Sequence, residues 1–213
     1  MLPKFLCFFP LLLISPLLFA ASPQLAASSS QEALSSPQVQ SPQVHLSSPQ
    51  VVISTNLGDM TFALDDKITP KTTAQFIKLA KSGWYNGKEF YRVVKGHVIQ
   101  AGINDDLHPD HKKYQLDAEF SPDKPQIKGS LGMARDEDPN SGSTEFYICL
   151  TRRAHLDGKY SHFGQLIEGE AVLDKIAAVK VTEKWLDNPG GKAVAFHRPQ
   201  TPVLIHSIRV KQP

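Results

Sequence analysis

From Val51 onward the apolar residues arrive in short β-branched and aromatic runs, cut by glycine- and proline-bearing turns. No run alternates with a helix at the period of a βαβ unit. Residues 51–55 read as a strand, Asn56-Leu57-Gly58-Asp59 as a turn, and 60–64 as the returning partner. Further strands are expected at 89–94, 97–101, 130–134, 145–150 and 162–167, with a long last one over 201–210. Only two helices fit. One opens with Thr69 as N-cap and Pro70 at the first helical position. Its stripe is Thr73, Phe76, Ile77 and Ala80, and Ser82-Gly83 ends it. The other spans 169–179, with Val172, Leu173 and Ile176 on one face. The residues alone therefore predict a mainly β fold, an antiparallel barrel or sandwich.

The first fifty residues are of another kind. Lys4 precedes an apolar run from Phe5 to Ala20, followed by small residues, which predicts a signal peptide over 1–21. An uncleaved membrane anchor is the alternative, although the run contains Pro10 and Pro16 and falls short of the ~20 residues a spanning helix needs. Ser-Pro-Gln then recurs at 22, 36, 41 and 48, with Glu32 the only charge in the stretch. Such a segment cannot bury enough apolar surface to offset its ordering entropy, so 22–50 is expected to be a disordered linker. The expected organisation is leader, linker and one domain over 51–213, in a protein of the periplasm or secreted.

Charge and cysteine content exclude several classes. Lys plus Arg is 23 against 21 for Asp plus Glu, a net charge of +2, which does not mark a nucleic-acid binder. Two cysteines, Cys7 and Cys149, cannot make a disulfide framework. Cys149 lies in the run Phe146-Tyr147-Ile148-Cys149-Leu150 and reads as a buried strand residue. No phosphate-binding glycine loop, HExxH or CxxC is present. Asp105-Asp106-Leu107-His108-Pro109-Asp110-His111 packs five potential ligands into seven residues, but in a polar loop these read as solvated groups. No metal and no cofactor is expected.

Two segments are more specific: 90–102, FYRVVKGHVIQAG, and 131–150, LGMARDEDPNSGSTEFYICL. With Gly83-Trp84-Tyr85-Asn86-Gly87 before them and residues 156–164, LDGKYSHFG, after them, their order and spacing resemble the cyclophilins. The resemblance covers 51–180 and extends to the final strand, and it is closest to the bacterial exported type, whose loop after Met-Ala-Arg has the same length.

The resemblance implies a closed eight-stranded antiparallel barrel capped by two α-helices, and cis/trans isomerisation of peptidyl-prolyl bonds on its outer face. It implies partners that are proline-containing segments of unfolded or flexible polypeptides. No nucleic acid is expected, membrane contact only if the leader stays, and a monomer. Arg92 matches the family's catalytic arginine and Gln100 the glutamine that orients it. Val98 and Gln100, two apart on a strand, share a face. Ala134 and Arg135 match the strand whose main chain holds the residue before proline. Phe146, Tyr147, Leu156 and Phe163 match positions that line or support the proline pocket; for Phe163 core packing weighs equally.

The chain also departs from the family. His97 stands where Phe is usual, Tyr147 where Phe, Glu145 where Gln, Tyr91 where His, His155 where Trp or Phe, and Tyr160 where His or Tyr occurs. His97, Glu145 and His155 are thus expected at the substrate rim, with Glu145 pairing with Arg92. A rim imidazole titrating near pH 6.5 is expected to lower activity between pH 7.5 and 5.5. These polar replacements leave a second reading open, a non-catalytic module or holdase that binds proline segments on the same barrel.

Overall fold

The computed structural model describes residues 48–103, 114–186 and 194–211. The apolar run 5–20, the Ser-Pro-Gln copies before residue 48, Cys7 and the 105–111 cluster lie outside the described residues.

Eight strands form one antiparallel sheet: β1 (Gln50–Thr55), β2 (Gly58–Leu64), β3 (Arg92–Val94), β4 (Val98–Ala101), β5 (Ser130–Met133), β6 (Phe146–Cys149), β7 (His162–Glu168) and β10 (Ile205–Lys211). Their order is β10-β1-β2-β7-β5-β6-β4-β3. The last Ser-Pro-Gln copy belongs to the fold: Gln50 pairs with both Ala63 and Lys211, and the Pro49 carbonyl accepts from Leu64 N–H at 2.8 Å. Pro49 and Gln50, expected in the linker, take part in the sheet instead.

The end strands β10 and β3 share no ladder among the described residues. A single bridge between Glu89 and Leu204, flanked by Phe90 N–H to the Val203 carbonyl at 2.9 Å and Ile205 N–H to the Lys88 carbonyl at 2.8 Å, joins the segments that precede them. The sheet is curled rather than a fully laddered closed barrel.

Both expected helices are present, α1 (Pro70–Lys81) and α2 (Glu170–Ala177). Thr69 does not cap α1 with its side chain; its hydroxyl turns back to the Asp65 carbonyl at 2.8 Å. The free N–H groups of the first turn are met instead by Glu119, which accepts from Lys71 N–H at 3.0 Å and Thr72 N–H at 2.8 Å. A hairpin of β8 (Val181–Leu186) and β9 (Val194–Pro199) was not among the expected strands. Its β-branched ends flank Asn188-Pro189-Gly190-Gly191, a turn signal that charged Glu183 and Lys184 dilute.

The core lies inside the curl. Phe76 of α1 packs against Tyr85, Phe146 and Phe163 with ring centroids 5.2, 5.4 and 5.1 Å away. Phe62, Phe90, Ile53, Ile99 and Leu131 are fully buried in the same cluster. Each such side chain contributes about 1.5–3 kcal/mol of burial.

Candidate active site

Successive strand residues point to opposite faces, and the four strands at one end of the sheet use both faces. Val93, Ile99, Ala101, Leu131, Met133, Phe146 and Ile148 enter the main core. Their neighbours Val98, Ala134, Tyr147 and Cys149 form a second buried cluster with Leu156 and Tyr160. Arg92 and Gln100, on the same parity as Val98, border it.

The register explains why these residues meet. Arg92 lies opposite Gln100 across β3 and β4, and Gln100 lies opposite Tyr147 across β4 and β6. Tyr147 in turn lies opposite Gly132 on β5, where an added Cβ would stand 2.2 Å from the Tyr147 ring. Only a glycine lets that ring lie across the strand. Tyr147 meets Tyr160 edge-on at 5.9 Å, and Leu156 arrives on a short 3-10 turn, Ala154–Leu156.

The polar border is built of hydrogen bonds. Arg92 Nη1 donates to Gln100 Oε1 at 3.0 Å, and Gln100 Nε2 donates to Glu145 Oε2 at 2.8 Å. The Tyr91 hydroxyl donates to the same Glu145 oxygen. Gln100 stands between Arg92 and Glu145, so the ion pair expected of those two residues takes the form of an amide relay.

The remaining expected residues divide. Ala134 N–H is taken by the Glu145 carbonyl at 2.9 Å, which ties β5 to the start of β6. The Arg135 side chain donates to the Lys159 carbonyl at 3.1 and 3.0 Å and to the Asp136 carbonyl at 2.7 Å. Its guanidinium stacks 4.5 Å from the Tyr160 ring centroid. Arg135 thus braces the loop after β5 against the 156–160 segment. Phe146 and Phe163 do not join the outer cluster. Both face the main core, because Phe146 has the opposite parity to Tyr147 and Phe163 packs on Phe76.

His97 closes the β3–β4 turn, with its N–H to the Val94 carbonyl at 2.9 Å and its carbonyl accepting from Leu150 N–H at 2.9 Å. Its ring lies 5.5 Å from that of exposed His155. Burial, then the nearby Arg153, Arg92 and His155, push the His97 imidazole down to about 3. It is neutral at every pH between 5.5 and 7.5, which corrects the expected titration near 6.5. Burial likewise lifts the Cys149 thiol to about 12, so it packs and does not react. Cys149, Tyr160 and Tyr91 complete the site without having been assigned to it. Parity with Tyr147 points to Cys149, whereas nothing in the sequence orients Tyr91.

A permanent cation thus sits fixed at the edge of a buried apolar cluster on the sheet's outer face. Such an arrangement can offer a charged donor to a polar atom that docks beside it.

The family model described as "Cyclophilin type peptidyl-prolyl cis-trans isomerase/CLD" matches residues 50–210. A peptidyl-prolyl cis-trans isomerase of Helicobacter pylori J99 is 34% identical over 142 residues, covering 64% of this chain and 86% of that protein. One from Synechococcus elongatus is 31% identical over 138 residues, 61% of this chain and 94% of its own length. Among solved structures, a cyclophilin type peptidyl-prolyl cis-trans isomerase of Cryptosporidium parvum superposes with a TM-score of 0.65 at 26% identity, covering 78% of this chain and 99% of its own. The same protein crystallised in the presence of the dipeptide Ala-Pro gives a TM-score of 0.64 at 27% identity, with 77% and 99% covered.

Proposed function

Because the chain belongs to the cyclophilin-type peptidyl-prolyl cis-trans isomerases, we propose that it turns X-Pro bonds at the outer cluster, with Arg92 as the catalytic cation. The activity is that of the family. The site assignment is our own reading, and what carries it is the guanidinium of Arg92 held by Gln100 beside the buried Val98–Tyr147–Leu156 cluster.

The chemical problem is a barrier of ~18–20 kcal/mol set by amide resonance. Twisting the bond breaks the resonance, and the proline nitrogen pyramidalises and regains a lone pair. An enzyme needs only to bind that twisted form better than either planar one. The proline ring packs on the apolar cluster, and Arg92 donates to the nitrogen lone pair as it develops. Each ~1.4 kcal/mol of such preference is tenfold in rate. Arginine suits the task because it stays charged throughout and its planar fork is set by the Gln100 bond. Neither a covalent intermediate nor a proton transfer is required.

Substrates are proline-containing segments of polypeptides, a choice supported by the Ala-Pro dipeptide present with the related Cryptosporidium protein. The apolar leader over 1–21 and the Ser-Pro-Gln stretch that follows support export, with exported proteins as clients and a monomeric domain on a tether. The bonds joining 88–90 to 203–205 support a sheet that closes on itself as a barrel.

The test is an NMR exchange or protease-coupled assay of the full-length protein on X-Pro peptides. Turnover above the uncatalysed rate of tens to hundreds of seconds per event is expected. Saturable binding of the same peptides without turnover would favour the holdase reading.

A further inference from the structure

We propose that Glu145 and Tyr91 are positioning residues for the isomerase, setting the Gln100 amide so that its oxygen, and not its nitrogen, faces Arg92. This rests on the reading of Arg92 as the catalytic cation. A guanidinium only donates hydrogen bonds and an ionised carboxylate only accepts them, whereas a primary amide has one end of each kind. Gln100 stands between the two, with Oε1 on Arg92 Nη1 at 3.0 Å and Nε2 on Glu145 Oε2 at 2.8 Å. One orientation of the amide satisfies both neighbours. The flipped one sets N–H against N–H and oxygen against oxygen. Gln100 is 1% exposed, so water cannot repair the mispairing.

A glutamine at position 145 would not impose this choice. It can rotate its own amide and satisfy Gln100 either way. The carboxylate is what makes the relay one-directional, and two further contacts hold it in place. The Glu145 carbonyl accepts from Ala134 N–H at 2.9 Å, and the Tyr91 hydroxyl donates to the same carboxylate oxygen as Gln100 does. Tyr91 lies just before β3, outside the alternation that would send it to the face opposite Arg92. Tyr91 and Glu145 thus bond to one another and act as one device.

Kinetics and spectroscopy on the full-length protein test it together. Glu145→Gln should lower kcat on X-Pro peptides ~3–10-fold with KM within about twofold, the pattern for an interaction realised in the twisted state. Tyr91→Phe should lower kcat less. The double variant should be no worse than Glu145→Gln alone, because the phenol acts through the carboxylate. Independently of turnover, the side-chain NH2 resonances of Gln100 in 15N–1H spectra should move in Glu145→Gln and less in Tyr91→Phe, with melting temperature retained. Unmoved Gln100 resonances would overturn the proposal. So would a lower KM with unchanged kcat in Glu145→Gln, which would make Glu145 a competitor of substrate. A wild-type protein without turnover would overturn the isomerase reading, while the Gln100 resonances would still report whether the relay is set as described.

Discussion

The inner and outer faces of β3–β6 are made from alternate residues of the same strands, and they behave as two different materials. Inside, Phe146, Ile148, Ile99 and Val93 join one continuous core with both helices. Outside, Tyr147, Cys149, Val98 and Ala134 make a small cluster with Leu156 and Tyr160, bordered by a charged relay from Arg92 to Glu145. Moving one residue along β6, from Phe146 to Tyr147, crosses from the main core to the outer cluster. Residue type does not tell the two apart, since Phe146 and Tyr147 are both aromatic and both fully buried.

Phe146 contacts the rings of Phe76, Tyr85 and Phe90, so Phe146→Ala should cost about 3–5 kcal/mol of stability in urea unfolding. If the folded fraction of that variant lost substrate affinity instead, with stability unchanged, Phe146 would belong to the pocket after all.

Acid should have a smaller effect, through two buried imidazoles. His97 is held down to about 3 and buried His162 down to about 4, both by burial first. Their folded values lie below the ordinary imidazole value, so between pH 6.5 and 4 the unfolded chain binds more protons and stability falls as pH drops. Melting temperature should therefore decline from pH 6.5 towards 4. Over pH 7.5 to 5.5 kcat/KM should stay within about twofold, because the His97 ring is neutral throughout. A slope in that range that His97→Phe abolished would show an imidazole titrating at the rim.

Much of this was legible in the sequence, and what was not has physical causes. Strand after strand was announced by β-branched runs and glycine turns, and Arg92 and Gln100 by the motif around them. The parity of Phe146 was written in the chain too, one step from Tyr147, but deciding which parity faces inward requires knowing which face the helices cover. The α1 cap was not legible: Glu119 lies some fifty residues from the helix start it satisfies, and Thr69, the local candidate, bonds backwards to Asp65. The β8–β9 hairpin was hidden by charged strand residues on a ribbon outside the main sheet. Gln50 was masked by its membership of the Ser-Pro-Gln repeat, although its pairing with Ala63 and Lys211 makes it ordinary strand. The relay needed three partners from separate segments. Sequence placed Glu145 near Arg92 but could not insert Gln100 between them or bring in Tyr91.

In the proposed function the outer face catalyses through Arg92 while the inner face only holds the fold. The direct measurement is kcat/KM of Arg92→Ala on an X-Pro peptide, read beside its thermal unfolding curve. A fall of about 100-fold or more is expected, the scale of one lost transition-state donor, with a cooperative unfolding curve retained but its midpoint lowered by several degrees, because the buried Gln100 amide oxygen loses its donor. Wild-type kcat/KM with an unchanged unfolding curve would contradict it.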